Sequence, residues 1–145
     1  MASSHLCALR LRIVLTAVVS SIAWAKAFAY EPQVNFALHC MGCHTPDGSG
    51  VEGRVPSMRD SLVPLSAIPD GRRYLVQVPG SSQSSLSDAE LAELLNWMIH
   101  NLSNVPPSPS LISFTTREVG AYRKETLSQV RATRERLLQT AGSKR

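Results

Sequence analysis

The chain has 145 residues, with 15 Lys and Arg against 11 Asp and Glu, three Cys and a formal charge of +4. That length holds one domain of ordinary size and not two. The positive charge is no argument for nucleic-acid binding, because part of it lies in a segment that reads as removable.

That segment is the N-terminus, which has the pattern of a secretory leader. Arg10 and Arg12 give a basic start, an apolar run follows from Ile13 to Ala25, and small-residue cleavage sites stand at Ala25-Lys26-Ala27 and Ala27-Phe28-Ala29. Cleavage is expected after Ala29, so residues 1–29 form the signal peptide. The run is short for a bilayer span of roughly 20 residues, which favours removal over an uncleaved anchor. Membrane contact is expected only if the leader stays. No Arg-Arg pair precedes the run, which points to the general secretory route and a periplasmic location. Removal takes away Arg10, Arg12 and Lys26, so the 15 basic residues become 12 against 11 acidic ones, a net charge of +1. Cys7 goes too, leaving Cys40 and Cys43 as the only thiols.

The first helix is predicted from Pro32 to Cys40, with Pro32 at its start. Val34, Phe36, Ala37, Leu38 and Cys40 read as a short buried segment. Cys40-Met41-Gly42-Cys43-His44 follows and has the form C-x-x-C-H, the pattern for covalent attachment of a c-type haem. Two thiols three positions apart suit the two vinyl groups of one haem, and the adjacent imidazole suits the iron. Three rivals share the C-x-x-C spacing. A thioredoxin-like dithiol expects a βαβ setting, which the pattern lacks. A zinc site needs four ligands, and His39, His44 and His100 come with no second close-spaced pair. A structural disulfide is the third. A histidine directly after the second cysteine, and no further cysteine, favour haem.

Residues 45–87 are rich in Gly, Pro and Ser and read mostly as loop, apart from an apolar stretch near Tyr74-Leu75-Val76. The clearest helix runs from Asp88 to Leu102. Ser87 and Glu90 make a capping box at its start. Leu91, Leu94, Leu95, Met98 and Leu102 form one apolar stripe. Three prolines between Val105 and Ser110 mark a linker over 105–113. A basic amphipathic helical tail over 114–145 follows. Thr115 and Glu118 form a second capping box, and the pattern breaks near Glu125-Thr126, where Thr126 and Gln129 suit a restart. Phe114, Val119 and Tyr122 read as core contacts that fold the tail back. Arg117, Arg123, Lys124, Arg131, Arg134 and Arg136 read as its solvated face. The opposing account has this face docking an acidic partner or a membrane surface. Charge divides at the same place, with −4 over residues 30–116 and +5 over 117–145. There is no strand system and no internal repeat, so the class is all-α.

From Val34 to about Asn104 the chain resembles a class I mono-haem cytochrome c. The parts of that family are a helix ending at C-x-x-C-H, a Gly-containing loop (Pro46–Gly50), a Pro-x-Leu segment (Val55-Pro56-Ser57-Met58), a variable loop, and a last helix that packs across the first. The resemblance implies a cytochrome c-like domain over 30–104 holding one covalent haem c on Cys40 and Cys43. His44 would be the proximal iron ligand, and the Pro56 carbonyl would accept from its free ring nitrogen. Trp97 would pack on the first helix. The departure lies on the far side of the iron. The family's distal methionine belongs to the loop before the last helix, and residues 69–85 contain no methionine or histidine. Met58 is the first candidate for distal ligand and Met98 the second. Met41, inside the motif, is badly placed to reach the opposite face, His39 and His100 are weaker candidates, and the alternative is an unusual ligand or an open site. The expected role is a one-electron carrier, not an enzyme, between redox partner proteins such as a periplasmic dehydrogenase or oxidase. An open distal site would instead suit a peroxidase or small-ligand sensor, and the basic tail a haem subunit of a dehydrogenase complex.

Overall fold

A computed structural model describes residues 30–143. The leader over residues 1–29 lies outside the described residues. Seven helices are present among the described residues: α1 (Pro32–His39), α2 (Leu62–Ser66), α3 (Pro69–Gln77), α4 (Pro79–Ser82), α5 (Asp88–Asn101), α6 (Thr116–Tyr122) and α7 (Val130–Gly142). The only β pairing among them is an isolated bridge between Val51 and Val55. The all-α class stands. No described helix is long and apolar enough to cross a membrane.

Helix α1 starts with Pro32 in its first turn, where the missing N–H costs no helical hydrogen bond, and the Cys40 N–H closes it on the Phe36 carbonyl at 2.9 Å. The expected buried segment is narrower than read. Only Asn35 and Phe36 are buried, while Val34 and Leu38 are 41% and 62% exposed. Eight residues offer the core little more than one contact line, and Phe36 takes it. Its ring lies 5.8 Å from that of Trp97, tilted by 43°. This contact sets α1 across α5, as the resemblance implied.

Residues 45–87 are not mostly loop, because α2, α3 and α4 occupy much of the second half. Every residue of α2 is buried, and α3 buries Tyr74 to Gln77. The glycines and prolines that argued for loop have other duties. Pro69 and Pro79 stand in first turns. Gly71 lies so close to the Leu65 carbonyl that a Cβ would collide with it, so the glycine lets α3 pack onto α2.

The capping box of α5 is complete. The Ser87 N–H donates to Glu90 Oε2 at 2.8 Å, and the Glu90 N–H donates to Ser87 Oγ at 3.2 Å. Such a cap is worth about 1 kcal/mol. Leu91, Leu94, Leu95, Met98 and Leu102 are all buried, and the apolar stripe is as expected.

The second capping box is only half formed. The Glu118 N–H donates to Thr115 Oγ1 at 3.3 Å, but the Glu118 carboxylate turns to Arg72. The chain breaks between Tyr122 and Val130 and restarts with Gln129 as a cap without a side-chain bond. Helix α6 packs on α3 and α5, and α7 packs on α2 and α3. Phe114, Val119 and Leu137 are buried in one core with Phe36 and Leu95. Not all the tail arginines are solvated. Arg123 donates to the Leu86 carbonyl at 2.7 Å and to Asp88 at 3.0 Å, and Arg134 donates to the Ser57 carbonyl at 2.9 Å.

Candidate functional site

The end of α1 and the loop after it place Cys40, Cys43 and His44 on one tight turn. The His44 N–H donates to the Cys40 carbonyl at 3.0 Å, and the Cys43 N–H donates to the same atom at 3.1 Å. This turn brings all three side chains to the wall of one cavity of about 260 Å³. Leu62, Leu65, Leu75 and Leu95 form its apolar sides.

The loop behind His44 is fixed by one carboxylate. Asp47 accepts from Thr45 Oγ1 at 2.6 Å, the Ser49 N–H at 3.1 Å, Ser49 Oγ at 2.9 Å and Arg59 Nη1 at 2.9 Å. These bonds, led by the Thr45 hydroxyl, hold the Asp47 pKa down to about 2. Arg59 also reaches Asn104 Oδ1 at 2.7 Å, which anchors the loop to the end of α5. Gly48 turns with a φ of +81°, a region that only glycine enters freely.

His44 is buried enough to lower its pKa, with the Ser49 backbone opposing. It therefore stands neutral at physiological pH, the form that ligates metal. Its Nδ1 is buried without a hydrogen-bond partner. The bond to the Pro56 carbonyl that the resemblance implied is not made, although Pro56 lines the same cavity. The ring as a whole is half-buried and lines the cavity with the two cysteines. The Cys40 thiol bears on the dithiol rival. Burial, with help from Cys43, pushes the Cys40 pKa up to about 11. A redox-active dithiol depends on a depressed thiol pKa, so this turn is a poor thioredoxin-like site. Among the described residues no three or more His, Cys, Asp and Glu side chains gather into a metal cluster.

Met58 and Met98 both line the cavity, as does His39. Met58 lies beside the loop that follows His44: a Cβ on Gly48 would stand 3.1 Å from its Cγ and 3.4 Å from its Sδ. Met98 is buried in α5. Met41 is 39% exposed, and His100 is exposed in the last turn of α5. Tyr74, Val130 and Arg134 also line this cavity, and no sequence pattern marks them for it. Val130 and Arg134 come from α7, more than eighty residues after the motif, and periodicity alone cannot say what a tail helix covers.

Two curated relatives match most of the chain. Cytochrome c-552 from one strain of Thermus thermophilus is 29% identical over 131 residues, covering 77% of this chain and 88% of the relative. A second cytochrome c-552 from Thermus thermophilus is 29% identical over 118 residues, covering 68% of this chain and 90% of the relative. The chain is a distant homologue of a c-type cytochrome. No protein-family profile and no solved structure matches it. The helical architecture agrees with a cytochrome c-like fold, with α1 and α5 crossing at Phe36 and Trp97.

Proposed function

We propose that the protein carries one haem c, bound covalently through Cys40 and Cys43 and ligated by His44, and acts as a one-electron carrier. The observation that carries this reading is the placement of the half-buried His44 ring and of both thiols on the wall of one apolar-sided cavity. The bound group would supply an iron that cycles between ferrous and ferric states. The protein's part is to hold and exclude. Cys40 and Cys43 fix the group's position, His44 offers a neutral nitrogen, and the leucine walls keep water away. The Asp47 network stiffens the loop that aims His44.

The leader supports export, so the partners proposed are redox proteins of the periplasm, a dehydrogenase on one side and an oxidase on the other. Met58 is the tentative distal ligand, with Met98 second. A thioether-to-ferric-iron charge-transfer band, lost in one of Met58→Leu and Met98→Leu, identifies the residue. High-spin ferric haem at neutral pH overturns thioether ligation and moves the reading to a ligand sensor or peroxidase. Carrier function is tested by stopped-flow mixing with candidate reductases. Haem reduction within seconds is expected, and no reduction by any of them contradicts it.

A further inference from the structure

The tail contributes a charged group to this cavity for which the described residues supply no counter-ion. Four arginines among them are partly buried: Arg59, Arg72, Arg123 and Arg134. The first three each hold a carboxylate, from Asp47, Glu118 and Asp88 respectively. Arg134 holds none, and its guanidinium makes a single hydrogen bond, from Nη2 to the Ser57 carbonyl at 2.9 Å. A guanidinium has five donors in a planar fork that matches a carboxylate, so most of its capacity is unused. Arg134 stands where two cavities adjoin. It lines both the 260 Å³ cavity of the cysteine–histidine turn and a neighbouring one of about 680 Å³, together with Ser57, Tyr74 and Val130. The Tyr74 ring is buried at this junction.

We propose that Arg134 binds a propionate carboxylate of the haem, so that α7 is part of the haem-binding unit. The inference rests on the haem reading above. A macrocycle fixed at Cys40 and Cys43 carries its two carboxylates on the edge away from the thioether-forming vinyl groups, and among the described residues Arg134 is the partly buried arginine on the cysteine–histidine cavity and lacks an anion, whereas Arg54 lines only the larger cavity and is exposed. Glu135 lines only the larger cavity and makes no ion pair with Arg134. Arg131, one turn earlier on α7, is exposed and lines only the larger cavity.

The experiment is spectroelectrochemistry on the holoprotein as wild type, R134Q, R134K and R131Q. Removing a cation beside a carboxylate leaves net negative charge near the iron and favours the ferric state. R134Q is expected to shift the reduction equilibrium toward the oxidised form by about three- to tenfold, R134K by less, and R131Q by less than about twofold. Equal potentials in R134Q and wild type overturn the proposal, as does an R131Q shift as large as that of R134Q. A second measurement needs no variant. In reduced wild-type protein, nuclear Overhauser contacts between the haem propionate methylenes and the Arg134 δ-protons support the assignment, and their absence overturns it. A chain purified without covalent haem overturns both readings, whereas these negative results on haem-loaded protein overturn this one alone.

Discussion

Arg72 and Glu118 meet side-on, with Nε to Oε1 and Nη2 to Oε2 both at 2.6 Å. The pair is mostly buried, with side-chain exposures of 12% and 19%. Arg72 also donates to the Ile112 carbonyl at 2.8 Å and covers the Phe114 ring at 4.0 Å. One guanidinium on α3 thus gathers the segment after the prolines and the start of α6. It takes the carboxylate that local sequence would have given to a helix cap.

Glu118→Ala should therefore destabilise the protein by about 3 kcal/mol, because it leaves Arg72 partly buried without its counter-ion. Loss of the Thr115 cap alone, tested by Thr115→Ala, should cost only about 1 kcal/mol. Urea denaturation of the two variants checks the ranking. Equal costs would mean that the cap, not the ion pair, fixes α6.

Truncation after Ser110 should lower the melting temperature sharply. It removes Phe114, Val119 and Leu137 from the core, each 4% exposed or less, and each such side chain contributes about 1.5–3 kcal/mol of burial. Thermal melts monitored by circular dichroism test this. An unchanged melt with lost partner reduction would instead make the tail a docking arm.

Much of this was legible in the sequence. The motif, the α5 stripe and its capping box are all short-range patterns, and each is found where its spacing placed it. The helices between 62 and 82 were missed because glycine and proline argue against helix interiors. Here Pro69 and Pro79 sit in first turns and Gly71 serves packing against Leu65. The inward turn of Arg123 and Arg134 was missed for a different reason. Their partners include the carbonyls of Leu86 and Ser57, and a backbone acceptor leaves no mark on side-chain periodicity.

The loop behind His44 should be acid-sensitive. The folded pKa of Asp47 is about 2 against an ordinary value of 3.8, so its contribution is full above the ordinary value and is lost as pH falls toward 2. Glu90 is lowered in the same direction by its bonds to Ser87. Asp47→Asn should flatten the fall in melting temperature between about pH 5 and pH 2 relative to wild type. Parallel curves for the two proteins would show that Asp47 is not a source of the acid sensitivity.

Whether the Cys40–His44 turn holds a covalent haem decides everything else proposed for this protein. The most direct measurement is a pyridine haemochrome assay on protein exported with its leader, after acid–acetone extraction, beside the Cys40→Ser/Cys43→Ser double variant. One haem per wild-type chain should survive extraction, with none retained by the double variant. Wild-type protein that holds no haem, or releases it on extraction, would contradict covalent attachment.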